Sequence, residues 1–282
     1  MSTVRSMRPP CVLVFDSGLG GLTVLAQIAK ARPDASLVYA ADDAAFPYGA
    51  LGEQELVARV ASVMARLVAR HAPDLVAIAC STASTLVLGP LRMLYPAIPF
   101  VGTVPAIKPA AAASKSRLIS VLATPGTVAR DYTQALVREY AGDCEVALVG
   151  SPHLARLAED CMKGSAVDDA EIAGEIAPCF VESQGRRTDV VVLACTHYPL
   201  LQDRFARLSP WPVEYVDPAP AIARRVDALL GPPDEAAPVG VAFAPVIFTS
   251  GAAPGAGLQD TLRRFGVAAA PTDAAAFEFI EA

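Results

Sequence analysis

Histidine is scarce in this chain. The three residues, at 71, 153 and 197, have no spacing that suits a metal site. The six cysteines, at 11, 80, 144, 161, 179 and 195, include no C-x-x-C pair. That disfavours a thiol redox enzyme. A chain of 282 residues can bury a sizeable core without a disulfide framework, so reduced thiols are expected. Apolar residues reach 53%, inflated by alanine, yet no apolar run approaches the roughly 18 residues of a membrane span. The net charge is −6 with no long basic run, which argues against nucleic acid as the main partner. The opening stretch "MSTVRSMRPPCVLVFDSG" lacks a signal-peptide core and a small-residue cleavage site. It reads as the first buried strand, and a cytoplasmic location with no membrane partner is expected. The glycines at 18, 20 and 21 fall short of G-x-G-x-x-G, because Thr23 holds the sixth position. A nucleotide-binding reading is therefore weak.

What is present is a rhythm. Short β-branched runs ("CVLVF", "SLVYA", "DLVAIA", "IPFVG", "RLISVLAT", "CEVALVG", "DVVVLA", "VEYVD") alternate with stretches of helical spacing such as "EQELVARVASVMARLVARH". Uniformly apolar runs are what parallel strands buried on both faces look like. The alternation predicts right-handed crossovers and doubly wound α/β layers. Two related domains are expected, with mostly parallel sheets and the active site between them. The first comprises roughly 1–104 plus 217–282, and the second 105–216. The Pro- and Ala-rich "VPAIKPAAAASKS" and the later "DPAP" mark the crossings. The tail ("AIARRVDALL", "VIFTSG", "LRRFG") carries further helix and strand patterns, and 231–240 reads as a surface loop.

Two stretches echo each other. "DLVAIACSTAS" places Cys80 beyond a strand, and "DVVVLACTHYP" places Cys195 likewise. In open α/β sheets ligands sit beyond the carboxyl ends of strands. The helix starts that follow offer N–H groups to an anion such as a carboxylate. A lone cysteine after a strand is most simply buried and inert. A matched pair with polar followers points to two thiols flanking one small molecule. Racemisation needs that arrangement: one group takes a proton from a stereocentre, and the other delivers a proton to the opposite face. A thiol near pKa 8.5 serves either role once tuned.

Other tips fit a small acidic substrate. Asp16 and Ser17 end the first strand, although Asp16 alone could be a helix cap. "FPYG" is a turn whose backbone could approach a ligand, or an ordinary Pro-Gly turn. Thr124 and Thr127 in "LATPGTV" are hydroxyl donors to a carboxylate or simple caps. His197 stands two residues after Cys195, near enough to tune it. Glu159, in "LARLAED", reads by itself as the solvated face of an amphipathic helix.

With these residues in view, the chain resembles the glutamate racemases of the aspartate/glutamate racemase superfamily. "FDSGLGGLTVL", "FPYG", "ACSTAS", "VPAIKPAA", "LATPGTV", "LACTHYPLL" and "AIARR" stand in the family's order over nearly the whole chain. The resemblance implies two α/β domains around a buried site, no pyridoxal phosphate or other cofactor, and no metal. It implies Cys80 and Cys195 as the acid/base pair, Cys80 toward D-glutamate and Cys195 toward L-glutamate. Asp16, His197 and Glu159 would tune those thiols. Ser17, Pro47, Tyr48, Gly49, Thr82, Thr124, Thr127 and Thr196 would hold glutamate. The product, D-glutamate, would feed peptidoglycan synthesis. For part of the family the resemblance also implies activation by a UDP-muramoyl-alanine precursor. Homodimers and, in some members, binding to DNA gyrase are further family traits. One position departs from the pattern: the residue after the first cysteine is usually Asn, and here it is Ser81. Two other readings compete. One is a racemase of aspartate or another acidic substrate, and the other is a non-catalytic binding protein on the same fold. Retention of both cysteines with Asp16 and His197 speaks against the second.

Overall fold

The structure is a computed structural model that describes residues 8–233, 242–243 and 246–269. The first sheet is built from β1 (Cys11–Asp16), β2 (Ser36–Ala41), β3 (Leu75–Ile78) and β4 (Phe100–Gly102). The second uses β5 (Leu118–Ala123) and β6 (Glu145–Gly150). A two-stranded hairpin, β7 (Glu182–Ser183) with β8 (Arg186–Arg187), precedes its remaining strands, β9 (Val190–Leu193) and β10 (Glu214–Val216). The chain then returns to the first sheet, where β11 (Ala242–Phe243) and β12 (Ile247–Phe248) both pair with β2.

All pairings in both large sheets are parallel. Strand order is β2-β1-β3-β4 in one and β6-β5-β9-β10 in the other. Numbered within each lobe, both read second-first-third-fourth, so β3 and β9 are equivalent, as are β1 and β5. This is the α/β architecture of two related layers that the repeated cysteine stretch predicts. The uniform apolar runs have a simple cause. Val12 and Val14 of β1 join one core cluster, while Leu13 and Phe15 join another on the opposite face. In β5, Leu122 and Val121 divide in the same way. Both faces are dry, so no alternation with polar residues can develop.

Helices cover those faces. They are α1 (Leu22–Ala31), α2 (Glu53–His71), α3 (Ser81–Leu94), α4 (Ile107–Ala113), α5 (Pro125–Val128), α6 (Asp131–Tyr140), α7 (Leu154–Met162), α8 (Asp169–Ile176), α9 (Gln202–Leu208), α10 (Ala219–Leu230) and α11 (Ala256–Arg264). In α2, Leu56, Val60, Val63, Met64 and Leu67 are buried, a stripe at helical spacing. Each such side chain contributes about 1.5–3 kcal/mol on burial, so an aspartate at Val63 would unseat the helix. The Pro- and Ala-rich stretch after β4 leads into α4, with Ile107, Ala110 and Ala111 buried against the second sheet. "DPAP" leads into α10, whose Ala219, Ile222, Ala223 and Val226 rejoin the core of the first sheet. "LRRFG" belongs to α11 and the turn after it. Most of the expected surface loop, 234–240, lies outside the described residues. Among the described residues no helix is long and apolar enough to cross a membrane.

Candidate active site

The two cysteines occupy equivalent places. Cys80 lies two residues past β3, and Cys195 two residues past β9. Register sets their neighbours. Ile78 pairs with Phe15, which puts Cys80 level with Ser17; Leu193 pairs with Leu122, which puts Cys195 level with Thr124. Both thiols are nearly buried, at 6% and 7% exposure. They are close enough that charge on Cys195 raises the pKa of Cys80.

Each thiol has its own partners. The Ser17 hydroxyl donates to Cys80 Sγ at 3.6 Å. Burial pushes the Cys80 thiol up to about 12, and the nearby Asp16 carboxylate adds to this; the Ala83 N–H and Ser17 pull the other way. Cys80 is therefore held as the neutral thiol. On the other side, Cys195 Sγ lies 3.8 Å from His197 Nδ1. His197 Nε2 lies 2.9 Å from Glu159 Oε1. Burial disfavours the imidazolium, but Cys195 and Glu159 outweigh it and hold His197 well above its ordinary pKa. Burial also raises Glu159, yet His197 and Lys163 draw it down to about 2. The Gly20 N–H approaches the same Nε2 at 3.3 Å. A doubly protonated ring has no lone pair for it, so the shorter carboxylate contact dominates. The Glu159–His197 pair thus sets an imidazolium beside the Cys195 sulfur.

Asp16 sits between the two sets and is fully buried. It accepts from the N–H of Gly21 at 3.0 Å and of Gly18 at 3.4 Å, and from the Thr196 hydroxyl at 3.4 Å. Burial raises its carboxyl to about 6, against the pull of His197 and these N–H groups. Its role in the turn before α1 is real, but the cap position itself falls on Gly21. The loop it holds crosses between the lobes. A Cβ on Gly20 would come within 2.6 Å of both His197 Nδ1 and Thr196 Oγ1, and one on Gly18 would collide with Glu159. Tyr39 fixes the same loop by donating to the Gly18 carbonyl at 2.6 Å.

Hydroxyls meet across the lobes as well. Thr82 Oγ1 and Thr124 Oγ1 are 3.3 Å apart, and Thr124 Oγ1 lies 3.0 Å from Thr127 Oγ1. Thr124 also caps α5, so its hydroxyl serves the cap and the contact with Thr82 together. Ser81 differs from these. Its hydroxyl is buried and has no hydrogen-bond partner among the described residues. Such a group costs about 1–3 kcal/mol unless something pairs with it.

The "FPYG" residues divide. Phe46 packs its ring 5.4 Å from the His197 ring. Tyr48 is buried with Phe15 and Cys80 in one cluster, and its hydroxyl donates to Asp42 at 2.6 Å. Pro47 and Gly49 are exposed. Glu159 corrects the reading of a solvated helix face. It is 3% exposed and points into the junction between lobes. Sequence reasoning missed Lys163, Tyr39 and the close approach at Gly20. The glycine cluster was the available signal for the last of these. Among the described residues no group of three or more His, Cys, Asp and Glu side chains is placed to hold a metal ion.

The fold and the paired cysteines define a class: α/β proteins with two similar parallel sheets, each carrying a buried cysteine two residues past an equivalent strand. The Asp/Glu/hydantoin racemase family model matches residues 16–226, and the chain belongs to that family. It is 54% identical over 232 residues to a glutamate racemase of Brucella anthropi, covering 82% of this chain and 83% of the relative. It is 53% identical over 249 residues to a glutamate racemase of Sinorhizobium medicae, covering 88% and 91%. Among solved structures it is similar to Escherichia coli glutamate racemase in complex with L-glutamate and the activator UDP-MurNAc-Ala. That match has a TM-score of 0.83 and 36% identity, over 94% of this chain and 97% of that one.

Proposed function

We propose that this chain is a glutamate racemase that interconverts L- and D-glutamate with two cysteines and no cofactor. The observation that carries the reading is the placement of Cys80 and Cys195 at equivalent strand ends of two sheets with the same order. The glutamate racemases matching most of the chain support it. In one direction the Cys195 thiolate takes the Cα proton of L-glutamate. The electron pair left on Cα delocalises into the α-carboxylate, and the Cys80 thiol donates its proton to the opposite face. Cys80 is then the thiolate and Cys195 the thiol, so the enzyme is set for the reverse direction. Positioned proton transfer of this kind contributes typically 10²–10⁴-fold.

The remaining residues take supporting roles. Glu159 and His197 set an imidazolium against the Cys195 sulfur, and Asp16 orders the loop between the two thiols. Ser17, Ser81, Thr82, Thr124, Thr127 and Thr196 supply hydroxyls for the substrate's charged ends, with the start of α3 offering N–H groups to a carboxylate. The Pro47-Tyr48-Gly49 turn contributes backbone, since the Tyr48 hydroxyl is committed to Asp42. The division into 1–104 plus 217–282 and 105–216 puts one thiol in each domain. A cytoplasmic role in supplying D-glutamate for peptidoglycan, with a UDP-muramoyl-alanine compound as activator, completes the reading. The test is to incubate purified protein with L-glutamate, and separately with L-aspartate, and follow optical rotation. Decay of rotation for glutamate alone is expected. Faster decay with aspartate would move the assignment to that substrate, and no decay with either would leave a binding protein. Activity should survive a chelator and a carbonyl reagent that traps pyridoxal phosphate.

A further inference from the structure

One cation beside the site has no part in the two-thiol reading. Lys163 follows α7, one turn beyond Glu159, and sets its Nζ 2.9 Å from Glu159 Oε2. The other oxygen, Oε1, takes His197 Nε2 at 2.9 Å and the Leu19 N–H at 2.6 Å. The carboxylate is therefore divided between a cation on one side and the imidazole and loop on the other. Glu159 is 3% exposed and Lys163 is 47% exposed. The ammonium stands at a cavity of about 330 Å³ whose lining includes Leu19, Asp43, Phe248 and Leu258.

The backbone at Lys163 is held from the first lobe. A Cβ on Gly257 would collide with the Lys163 carbonyl, and Thr261 donates to the Met162 carbonyl at 2.8 Å. Both residues belong to α11, which follows the edge strands of the first sheet. The tail of one lobe thus grips the end of the helix that carries Glu159 in the other.

We propose that Lys163 is a positioning residue for proton transfer at Cys195, an inference that rests on the two-thiol racemase reading. By occupying Oε2 it keeps Glu159 ionised with Oε1 turned to His197, and His197 in turn serves the Cys195 sulfur. The other titratable groups facing this chain are Asp16 and Tyr39 from the first sheet, Asp43 at the cavity, and Cys195 itself. Asp16, when ionised, opposes the charge on Glu159, whereas Lys163 supports it. Without the ammonium the Glu159 pKa rises. Removing the ammonium takes a positive charge from the cluster, so the protons of the Glu159–His197 pair are held more tightly and the acid limb of activity moves to higher pH.

The experiment uses the full chain with Lys163→Met and Lys163→Arg. The probe is each enantiomer of a glutamate analogue carrying chlorine on Cβ. Loss of the Cα proton to one thiolate expels chloride, so no second proton delivery is needed. Lys163→Met should lower kcat/KM for the L-analogue about three- to tenfold, within reach of a half-screened ion pair with one buried partner. Its acid limb should shift upward, and the D-analogue should be unaffected. Lys163→Arg should restore the L-rate. If Lys163→Met keeps the wild-type ratio of L- to D-elimination and the wild-type acid limb, the inference fails. It fails equally if both variants lose L- and D-elimination together, which would mark a purely structural residue. A wild type that does not racemise glutamate would strike the underlying reading instead.

Discussion

Glu159 Oε1 and His197 Nε2 meet at 2.9 Å, and both side chains are almost completely buried. The pair joins α7 to the turn after β9, and the Leu19 N–H ties it to the first lobe. Removing one partner would leave the other charged and unpaired in a dry setting, which is strongly destabilising locally. Glu159→Gln and His197→Asn should each lower kcat more than they raise KM, by 10²-fold or more. The double variant should be little worse than either single one, because the two act as a unit. Additive losses, or kcat within about twofold of wild type, would return these residues to a structural role.

The two thiols should divide their labour by substrate hand. Cys80→Ser and Cys195→Ser should each nearly abolish racemisation of glutamate. Each should retain elimination from one enantiomer of an analogue with a β leaving group, because that reaction needs a single proton removal. Cys195→Ser should keep activity toward the D-analogue and Cys80→Ser toward the L-analogue. Both variants acting on the same enantiomer would contradict the two-face arrangement.

Asp16 offers a prediction in stability. Its carboxyl titrates near 6 when folded, against an ordinary 3.8, so the folded protein holds its proton more tightly than the unfolded chain. Stability from this group is fully present below about pH 3.8 and is lost as the pH rises through about 6, a difference on the order of 3 kcal/mol. Asp16→Asn can still accept from the Gly21 N–H without the buried charge. It should resist urea better than wild type at pH 8, with the gap closing toward pH 4, while kcat falls. Equal stability at pH 8 would mean that the carboxylate is adequately solvated in the fold.

Gly20 tests the contact between lobes. A methyl group there meets His197 Nδ1 and Thr196 Oγ1 at 2.6 Å, and none of these atoms is free to retreat far. Gly20→Ala should leave both cores intact by circular dichroism, because the glycine belongs to neither. It should lower kcat/KM at least tenfold by spreading the thiols from their working positions, since displacements on the order of 1 Å cost about 10²-fold. Unchanged kcat/KM would show that the loop yields without cost.

Much of this architecture was legible in the sequence, for a stated physical reason. Strands buried on both faces must be apolar throughout, so "VLVF" and "VVVL" announced parallel sheets, and polar residues just after them marked the candidate site. Cys80, Cys195, Asp16 and Ser17 are candidates singled out that way. Glu159 was not legible by pattern. It lies beside Ala158 on α7, at the border of the buried stripe, and only the packing of that helix against residues 18–20 decides that its carboxylate points inward. Lys163 was hidden for the same reason, being one turn further along a helix whose partner lies in the other lobe. The Tyr48 hydroxyl was hidden by Asp42, a buried acid that also holds Arg59 and Thr249 and so competes for the donor.

Ser81 carries the last prediction. Its hydroxyl is buried at the start of α3, directly after Cys80, with no partner among the described residues. Nothing among the described residues pairs with a polar group there, and a substrate carboxylate would. A hydrogen bond to a charged group contributes roughly 1.5–3 kcal/mol, which is on the order of 10- to 150-fold in affinity. Ser81→Ala should therefore raise KM for glutamate within that range while leaving kcat close to wild type, as a contact made equally in ground and transition states does. The same change removes an unsatisfied group, so the ligand-free variant should be at least as stable to urea as wild type. Ser81→Asn should lower KM instead, because a longer amide reaches the carboxylate that the hydroxyl only approaches. The combination separates binding from folding: a serine that merely filled space would lose stability on truncation and leave KM alone. That opposite pattern, or an asparagine variant that turns glutamate over more slowly beside a wild type that prefers another amino acid, would take Ser81 out of the glutamate site.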